Sequence, residues 1–205
     1  VVTLGEIDLS FPSIVGITSL IFGIIMTSTD GNFFIAFILA TSLGMFAGLV
    51  NGLLVTKIGI PSIVATIGTL FFWRGLVNVI SQGSGIAIVD VADGTWHHMI
   101  FVEKLFGKIP MQFIWFIVLT GLMQWVYRYH KFGNHIHFVG DNKASAQMMG
   151  INVDNVKIIA FVQLGFFSAL AGIFTMYEML YFWPTQGEGL MLTTLAAVFV
   201  GGTSV

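Results

Sequence analysis

Long apolar runs separated by short polar breaks dominate the chain, and their length sets the first expectation. Apolar residues prevail over roughly 11–29, 33–55, 61–80, 111–127 and 157–182, and again from 190 to the end. A helix needs about 20 mostly apolar residues to cross the hydrocarbon core of a bilayer. The pattern therefore predicts about six spanning helices, the last one incomplete. The breaks read TDGN at 29–32, KIGIP at 57–61, YRYHK at 127–131 and WPTQGEG at 183–189. Pro61 and Pro110 stand where helices would begin, the position at which a missing N–H costs least. Gly44, Gly48 and Gly52 line one face of the second run, and Gly165, Ala169 and Gly172 one face of the fifth. Small residues at such spacing let helix backbones approach closely, which predicts tight packing within one bundle.

Two segments break the rhythm: 81–110, and the polar stretch 128–157. Within KFGNHIHFVGDNKASAQMMGINVDNVK (131–157), Asp141 or Asn142 is suited to cap a helix by accepting from backbone N–H groups. Lys143 to Met149 then contains good helix formers, and Gly150 is suited to the left-handed conformation that ends a helix. Two turns are too few to be stable alone in water, so flanks or a partner must hold them. Ala144, Ala146, Met148 and Met149 give this helix an apolar, pliable surface. It fits either a lipid headgroup layer or a groove on another protein. A second cap, Asn152 or Asp154, opens the fifth run.

Composition agrees with a membrane protein: 56% of residues are hydrophobic and 9% charged, where soluble domains carry about 25% charged residues. The fold class expected is an all-α, polytopic membrane protein forming a single transmembrane domain. A net charge of -2 gives no reason to expect nucleic acid, and the absence of cysteine excludes disulfides and thiolate chemistry. Lys57, Arg128, Lys131, Lys143 and Lys157 gather on one side of the predicted spans, against Lys104 and Lys108 on the other. The positive-inside tendency then makes 128–157 cytoplasmic and 81–110 external. No signal peptide is visible. A start at Val1 and an end in the Gly-rich run GGTSV read as the middle of a longer chain.

Few polar groups sit on or near the spans, and these are the candidates for a translocation path. Asp8 and Ser10, with Ser13, precede or open the first span. Asp8 suits either the positive end of the helix dipole or the wall of a polar route. Arg74 is the basic residue well inside a span; it either snorkels to the interface or lines the route, with Glu178 or Asp8 as a partner. Glu178 lies among Tyr177, Tyr181, Phe182 and Trp183, aromatics that read as an interfacial belt. Asn51, Asn78 and Gln163 suit interhelical hydrogen bonds or weak solute contacts. The histidines show no metal-binding spacing and read as solvated or interfacial. No GxxxxGK[ST] loop is present, so the chain shows no phosphate-cradling motif of its own.

Four stretches, in order along the chain, resemble permease subunits of ATP-binding cassette importers of the ribose/xylose/galactose type. TLGEIDLSFPS at 3–13 is similar to GGIDLSVGS, and NGLLVTKIGIPSIVATIGTLFFWRG at 51–75 to NGLLVxxxxIPPFIVTLGTxxxxRG. FGNHIHFVGDNKASAQMMGINVDNVK at 132–157 is similar to LGRxIYAxGGNxxAAxxxGINVxxxK, and LAAVFVGGTSV at 195–205 to IAAVVLGGTSL. The resemblance implies a type II importer-like transmembrane domain of the bacterial cytoplasmic membrane, lacking here its first and last spans. It also implies a coupling helix that seats in the ATP-binding subunit, carried by Gly140, Asp141, Asn142, Lys143, Ala144, Ser145, Ala146, Met148, Met149 and Gly150. Implied partners are two ATP-binding subunits that hold ATP and magnesium, an extracytoplasmic solute-binding protein and a second copy of the permease.

The chain departs from these patterns at Glu6, Phe11 and Pro12, and more consequentially at Leu190, Met191 and Thr193, where Tyr, Glu and Asp are usual. The solute expected is a simple sugar or similar small polar molecule. The alternatives are a nucleoside or branched-chain amino acid permease of the same class, or an ion-coupled secondary transporter, which would want more ionisable groups at the midplane. No constellation suits an intramembrane enzyme.

Overall fold

A computed structural model describes residues 1–201; the closing Gly202–Val205 of the last quoted motif lie outside the described residues. The helices are α1 (Phe11–Ser28), α2 (Phe33–Leu53, continued by a π-helical turn over Leu54–Ile58), α3 (Ser62–Ser81), α4 (Val89–Ala92) and α5 (Trp96–Val102). They continue with α6 (Met111–Tyr129), α7 (Lys131–Asp141), α8 (Lys143–Met148), α9 (Val153–Met179) and α10 (Leu190–Val200). Two-residue strands β1 (Ile86–Ala87), β2 (Lys104–Leu105), β3 (Ile109–Pro110) and β4 (Tyr181–Phe182) form two small antiparallel ribbons, β1 with β4 and β2 with β3.

Among the described residues, four helices are long and apolar enough to cross a membrane: α1, α2 with its π turn, α3 and α9. This is fewer than the six runs suggested. α6 has 19 residues but carries Gln112, Gln124 and Arg128, and none of its residues is buried. α10 is an 11-residue helix with none buried. The chain is an integral membrane protein of mainly helical architecture, with α1 at its centre and α2, α3 and α9 around it.

The small-residue faces meet as the spacing predicts. A Cβ placed on Gly44 would lie 2.5 Å from the Gly165 carbonyl oxygen and 2.7 Å from Ala169 Cβ, and one on Gly48 would overlap the Phe161 carbonyl. The backbones of α2 and α9 are therefore in contact along this seam, where dispersion has to replace the hydrophobic drive absent in lipid.

The two ends of the bundle differ from the sequence reading. Segment 81–110 is an ordered cap rather than a plain loop: α4, α5 and β1 cover the ends of α1, α2 and α9. The His97 ring is buried and stacks on Phe33, with centroids 5.2 Å apart and planes 13° apart. Tyr177 and Phe182 are also fully buried. The belt reading fails for Tyr177 and Phe182, and the solvated or interfacial reading for His97, while Tyr181 stays exposed; an aromatic at a span's end looks the same in sequence whether lipid or a cap covers it. At the other end, 131–141 forms α7, which packs with α8, the start of α9 and the 3₁₀ turn Val2–Leu4 around Leu4, Ile136, Val139 and Val153.

Candidate functional site

Residues 6–10 enter the bundle as a non-helical strap. An unpaired backbone group in lipid is costly, and α3 supplies the partners. Ile7 N–H donates to Ser62 Oγ at 3.2 Å, and Leu9 N–H to Thr66 Oγ1 at 3.0 Å. Asp8 folds back on the start of α1, its Oδ1 accepting from both the N–H and the hydroxyl of Ser10 at 2.7 Å. Asn51 of α2 donates to Asp8 Oδ2 at 3.1 Å and to Ser10 Oγ at 2.7 Å, while its Oδ1 accepts from the Thr69 hydroxyl at 2.7 Å. All four side chains are buried. The structure thus joins three of the sequence candidates, Asp8, Ser10 and Asn51, in one satisfied network.

A second interruption follows β4. Residues 183–189 turn into the bundle and meet Arg74, whose Nη1 donates to the Pro184 and Gln186 carbonyls at 3.0 Å each. Gln186 is fully buried; its Nε2 donates to Ser19 Oγ at 2.8 Å, and that hydroxyl donates to the Gly172 carbonyl at 2.8 Å. Gly187 presses its backbone against the Pro12 carbonyl, leaving no room for a Cβ. Arg74 neither snorkels nor pairs with Glu178 or Asp8; the carboxylate beside it is Glu188, with Oε1 3.9 Å from Nε. Its role as a clamp on two backbone carbonyls was invisible in sequence, because a carbonyl carries no residue signature.

The remaining path candidates lie apart. Asn78 is exposed on α3. Gln163 donates to Met123 Sδ at 3.1 Å, between α9 and α6. Glu178 is exposed on a recess shared with His98, Glu103 and Lys104 at the α5 end. Sequence reasoning missed Ser62, Thr66 and Thr69, although their i, i+4, i+7 spacing marks a polar stripe on an apolar helix. It also missed Gln186 and Glu188, hidden in what read as a turn.

At the α8 end, Asn142 rather than Asp141 is the cap, its Oδ1 accepting from Ser145 N–H at 3.0 Å. Gly150 is left-handed at φ +79°, and Asn152 caps α9 through Asn155 N–H at 3.0 Å. Ala144, Ser145, Met148 and Met149 are exposed, Met148 by 83%. Ala146 departs from the expectation of an outward surface: it is fully buried against α7 and α9 and anchors the helix from within. Gly140 similarly packs its backbone on Thr3.

Glu6 links α8 to the strap. It is ion-paired and hydrogen-bonded to Lys157, and Lys143 Nζ of α8 lies 3.6 Å from Glu6 Oε1. Burial alone would raise the Glu6 carboxyl, but the hydrogen bonds from Lys157 and Ser62 and the charges of Lys157 and Lys143 hold it below its usual value.

A family model described as "Branched-chain amino acid transport system / permease component" matches residues 1–205. The Autoinducer 2 import system permease protein LsrC of Photorhabdus luminescens is 32% identical over 206 residues, covering 98% of this chain and 59% of the relative. The protein of the same name from Yersinia pseudotuberculosis (serotype O:3, strain YPIII) is 33% identical over 201 residues, covering 98% and 55%. The chain thus spans somewhat over half the length of these curated relatives. No solved structure matches the chain significantly. Two interrupted helical paths held by buried polar side chains, within an inner-membrane bundle matched over its full length, lead to one assignment: the chain belongs to the branched-chain amino acid transport system permease component family.

Proposed function

We propose that this chain is the core of a permease subunit in an ATP-driven importer of a small polar solute, a simple sugar or autoinducer 2. The whole protein works with separate ATP-binding subunits, which hold ATP and magnesium and carry out hydrolysis, with a solute-binding protein outside, and as a pair of copies. The chain does no chemistry of its own. Loop 128–157 faces the cytoplasm and 81–110 the exterior. The likeness to autoinducer 2 import permeases favours an import system with autoinducer 2 as its cargo.

The observation that carries the reading is α8: a capped two-turn helix with Met148 and Met149 turned outward while Ala146 ties it to its own scaffold. Exposed, pliable methionines suit a groove on a partner. Movement of α8 would reach the strap at 6–10 through Lys143, Glu6 and Lys157, so a partner that binds one arrangement better shifts the bundle toward it.

The test uses full-length protein reconstituted in liposomes with its ATP-binding and solute-binding partners. Labelled ribose, xylose, galactose, leucine and autoinducer 2 are offered with and without ATP. ATP-dependent uptake of autoinducer 2 or a sugar is expected, and it should fall at least tenfold, roughly the loss of one interface hot spot, when Ala144 and Met148 are both changed to Glu. Ala146 is left intact because Ala146→Glu would break the scaffold itself. Uptake that follows an ion gradient and ignores ATP would refute the importer reading.

A further inference from the structure

α1 and α10 begin close together, and a recess of about 240 Å³ lies between their first turns and the middle of α3. Arg74 lies twelve residues along α3 from Ser62, about 18 Å at 1.5 Å per residue in a helix about 30 Å long, so the recess opens at mid-depth. Ser13, Phe71, Arg74, Glu188 and Met191 line it. The Ser13 hydroxyl is buried to 1% exposure and has no hydrogen-bond partner, although buried hydroxyls are almost always satisfied. Nothing in the packing of the fold explains this orphan.

The other polar groups are arranged to be shared. Arg74 spends Nη1 on the Pro184 and Gln186 carbonyls, which fixes the guanidinium, and among the described residues Nε and Nη2 make no hydrogen bond. At 3.9 Å the Nε–Glu188 separation is too long for a direct hydrogen bond, so the carboxylate keeps its acceptor capacity and a hydroxyl could bridge the two. Their opposite charges leave the recess without net charge. Phe71 and Met191 supply apolar faces. Fixed donors, free acceptors, an aromatic face and no net charge together describe a site for an uncharged polyhydroxylated molecule. The recess equals about eight water volumes at ~30 Å³ each, the size class of a simple sugar.

We propose that this recess is a solute-contact site on the permeation route, with Arg74 donating to, and Glu188 accepting from, hydroxyls of a neutral sugar-like solute, and Ser13 completing its pairing at the floor. The inference rests on the importer reading and adds the place of contact and the selection against charge. It also gives the departure from the family pattern at Met191 a place in the structure, since Met191 lines this recess.

The test exploits the absence of cysteine from these 205 residues. In the full-length protein stripped of any other reactive thiol, Ser13→Cys is labelled with a small methanethiosulfonate in the reconstituted, ATP-driven system. The probe is whichever of ribose, xylose or galactose the parent protein takes up. Labelling should slow several-fold when that sugar is being transported but stay unchanged with galacturonate. Glu188→Gln in the same background should remove the protection by weakening a charge-assisted hydrogen bond worth roughly tenfold or more in affinity. Met191→Cys gives the same readout from the rim if Ser13→Cys does not assemble. Uptake of a sugar with no protection at either position would overturn the site and leave the importer reading intact. ATP-driven uptake of autoinducer 2 but of no sugar would overturn the sugar site and leave the importer reading intact; if neither is taken up, the reading beneath it falls, and the site with it.

Discussion

One end of the bundle is closed by aromatic rings and the other by charges and directed hydrogen bonds. At the α5 end, Phe22 meets Tyr177 at 5.2 Å between centroids, Phe33 meets Phe101 at 5.6 Å, and Phe101 meets Tyr177 at 5.5 Å. At the α8 end, Glu6 is held by Lys157, Asp8 by Ser10 and Asn51, and the strap backbone by Ser62 and Thr66. Ring packing sums many small, non-directional attractions, so it yields gradually. A buried polar network is satisfied in few arrangements and is lost or exchanged as a unit. The difference makes the α5 end tolerant of small changes in side-chain shape and the α8 end sensitive to the loss of a single polar group.

Breaking the polar end should have the largest effect. Glu6→Ala leaves the buried Lys157 ammonium without its carboxylate, and removing one partner of a buried pair costs about 3–5 kcal/mol. Adding Lys157→Met should restore much of that stability, since an apolar pair of similar volume is often as stable as the ions it replaces. Thermal unfolding of the detergent-solubilised full-length protein measures both. A loss below about 1 kcal/mol for Glu6→Ala, the range of an exposed pair, would remove the contrast between the ends.

The aromatic end should forgive a comparable change. Phe33 packs edge-on or tilted against Phe22, Phe37 and Phe101. Phe33→Leu keeps most of the apolar volume, and such swaps usually cost less than about 1.5 kcal/mol. The same unfolding assay ranks it beside Glu6→Ala. A larger loss for Phe33→Leu would mean that ring geometry at the lid is as exacting as the hydrogen bonds at the strap.

This contrast also decides how much could be read before the structure. The main spans were legible because about 20 apolar residues in water-free surroundings have little choice but helix. The glycine seam and the Asn142 and Gly150 boundaries of α8 were legible because each rests on local chemistry. α7 was not: KFGNHIHFVGD carries two glycines and scattered polar residues, and its helix is stabilised by Ile136 and Val139 packing on distant residues such as Leu4 and Val153. The inward turn of 183–189 was hidden for the same reason, since Pro, Gly and Gln look alike in a surface turn and in a loop pinned by Arg74. Tyr177 and His97 were misplaced because composition at the end of a span does not report what covers it. The Asp8 cluster was half visible: Asp8, Ser10 and Asn51 stood out, but the serine and threonine stripe of α3 passed as ordinary span residues.

The smallest predicted effect separates the ends by pH. Burial, and then the neighbouring His98, hold His97 below the ordinary imidazole value of 6.5. The Thr95 hydroxyl donates to the Ala92 carbonyl at 2.6 Å, and His97 Nδ1 lies 2.9 Å from both the Thr95 and the Tyr177 hydroxyls. As pH falls through 6.5 the unfolded imidazole takes up a proton that the folded one resists, so the lid loses stability on acidification. Glu6 is held below 4.5, and its contribution is complete above 4.5 and is lost only as pH falls through its lower folded value. Between these limits acid should loosen the lid and spare the strap. Hydrogen exchange, compared as protection factors about one pH unit above and below 6.5, should show a modest loss at 89–102, bounded by ~1.4 kcal/mol per unit of pKa difference, and no change at 143–157. His97→Gln should remove the part of the pH dependence at the lid that His97 carries, since the amide does not titrate, leaving only that of the His98–Asp93 pair. Equal loosening at both ends would mean that the lid and the strap unfold as one unit, and the contrast between an aromatic end and a polar end would have to be abandoned.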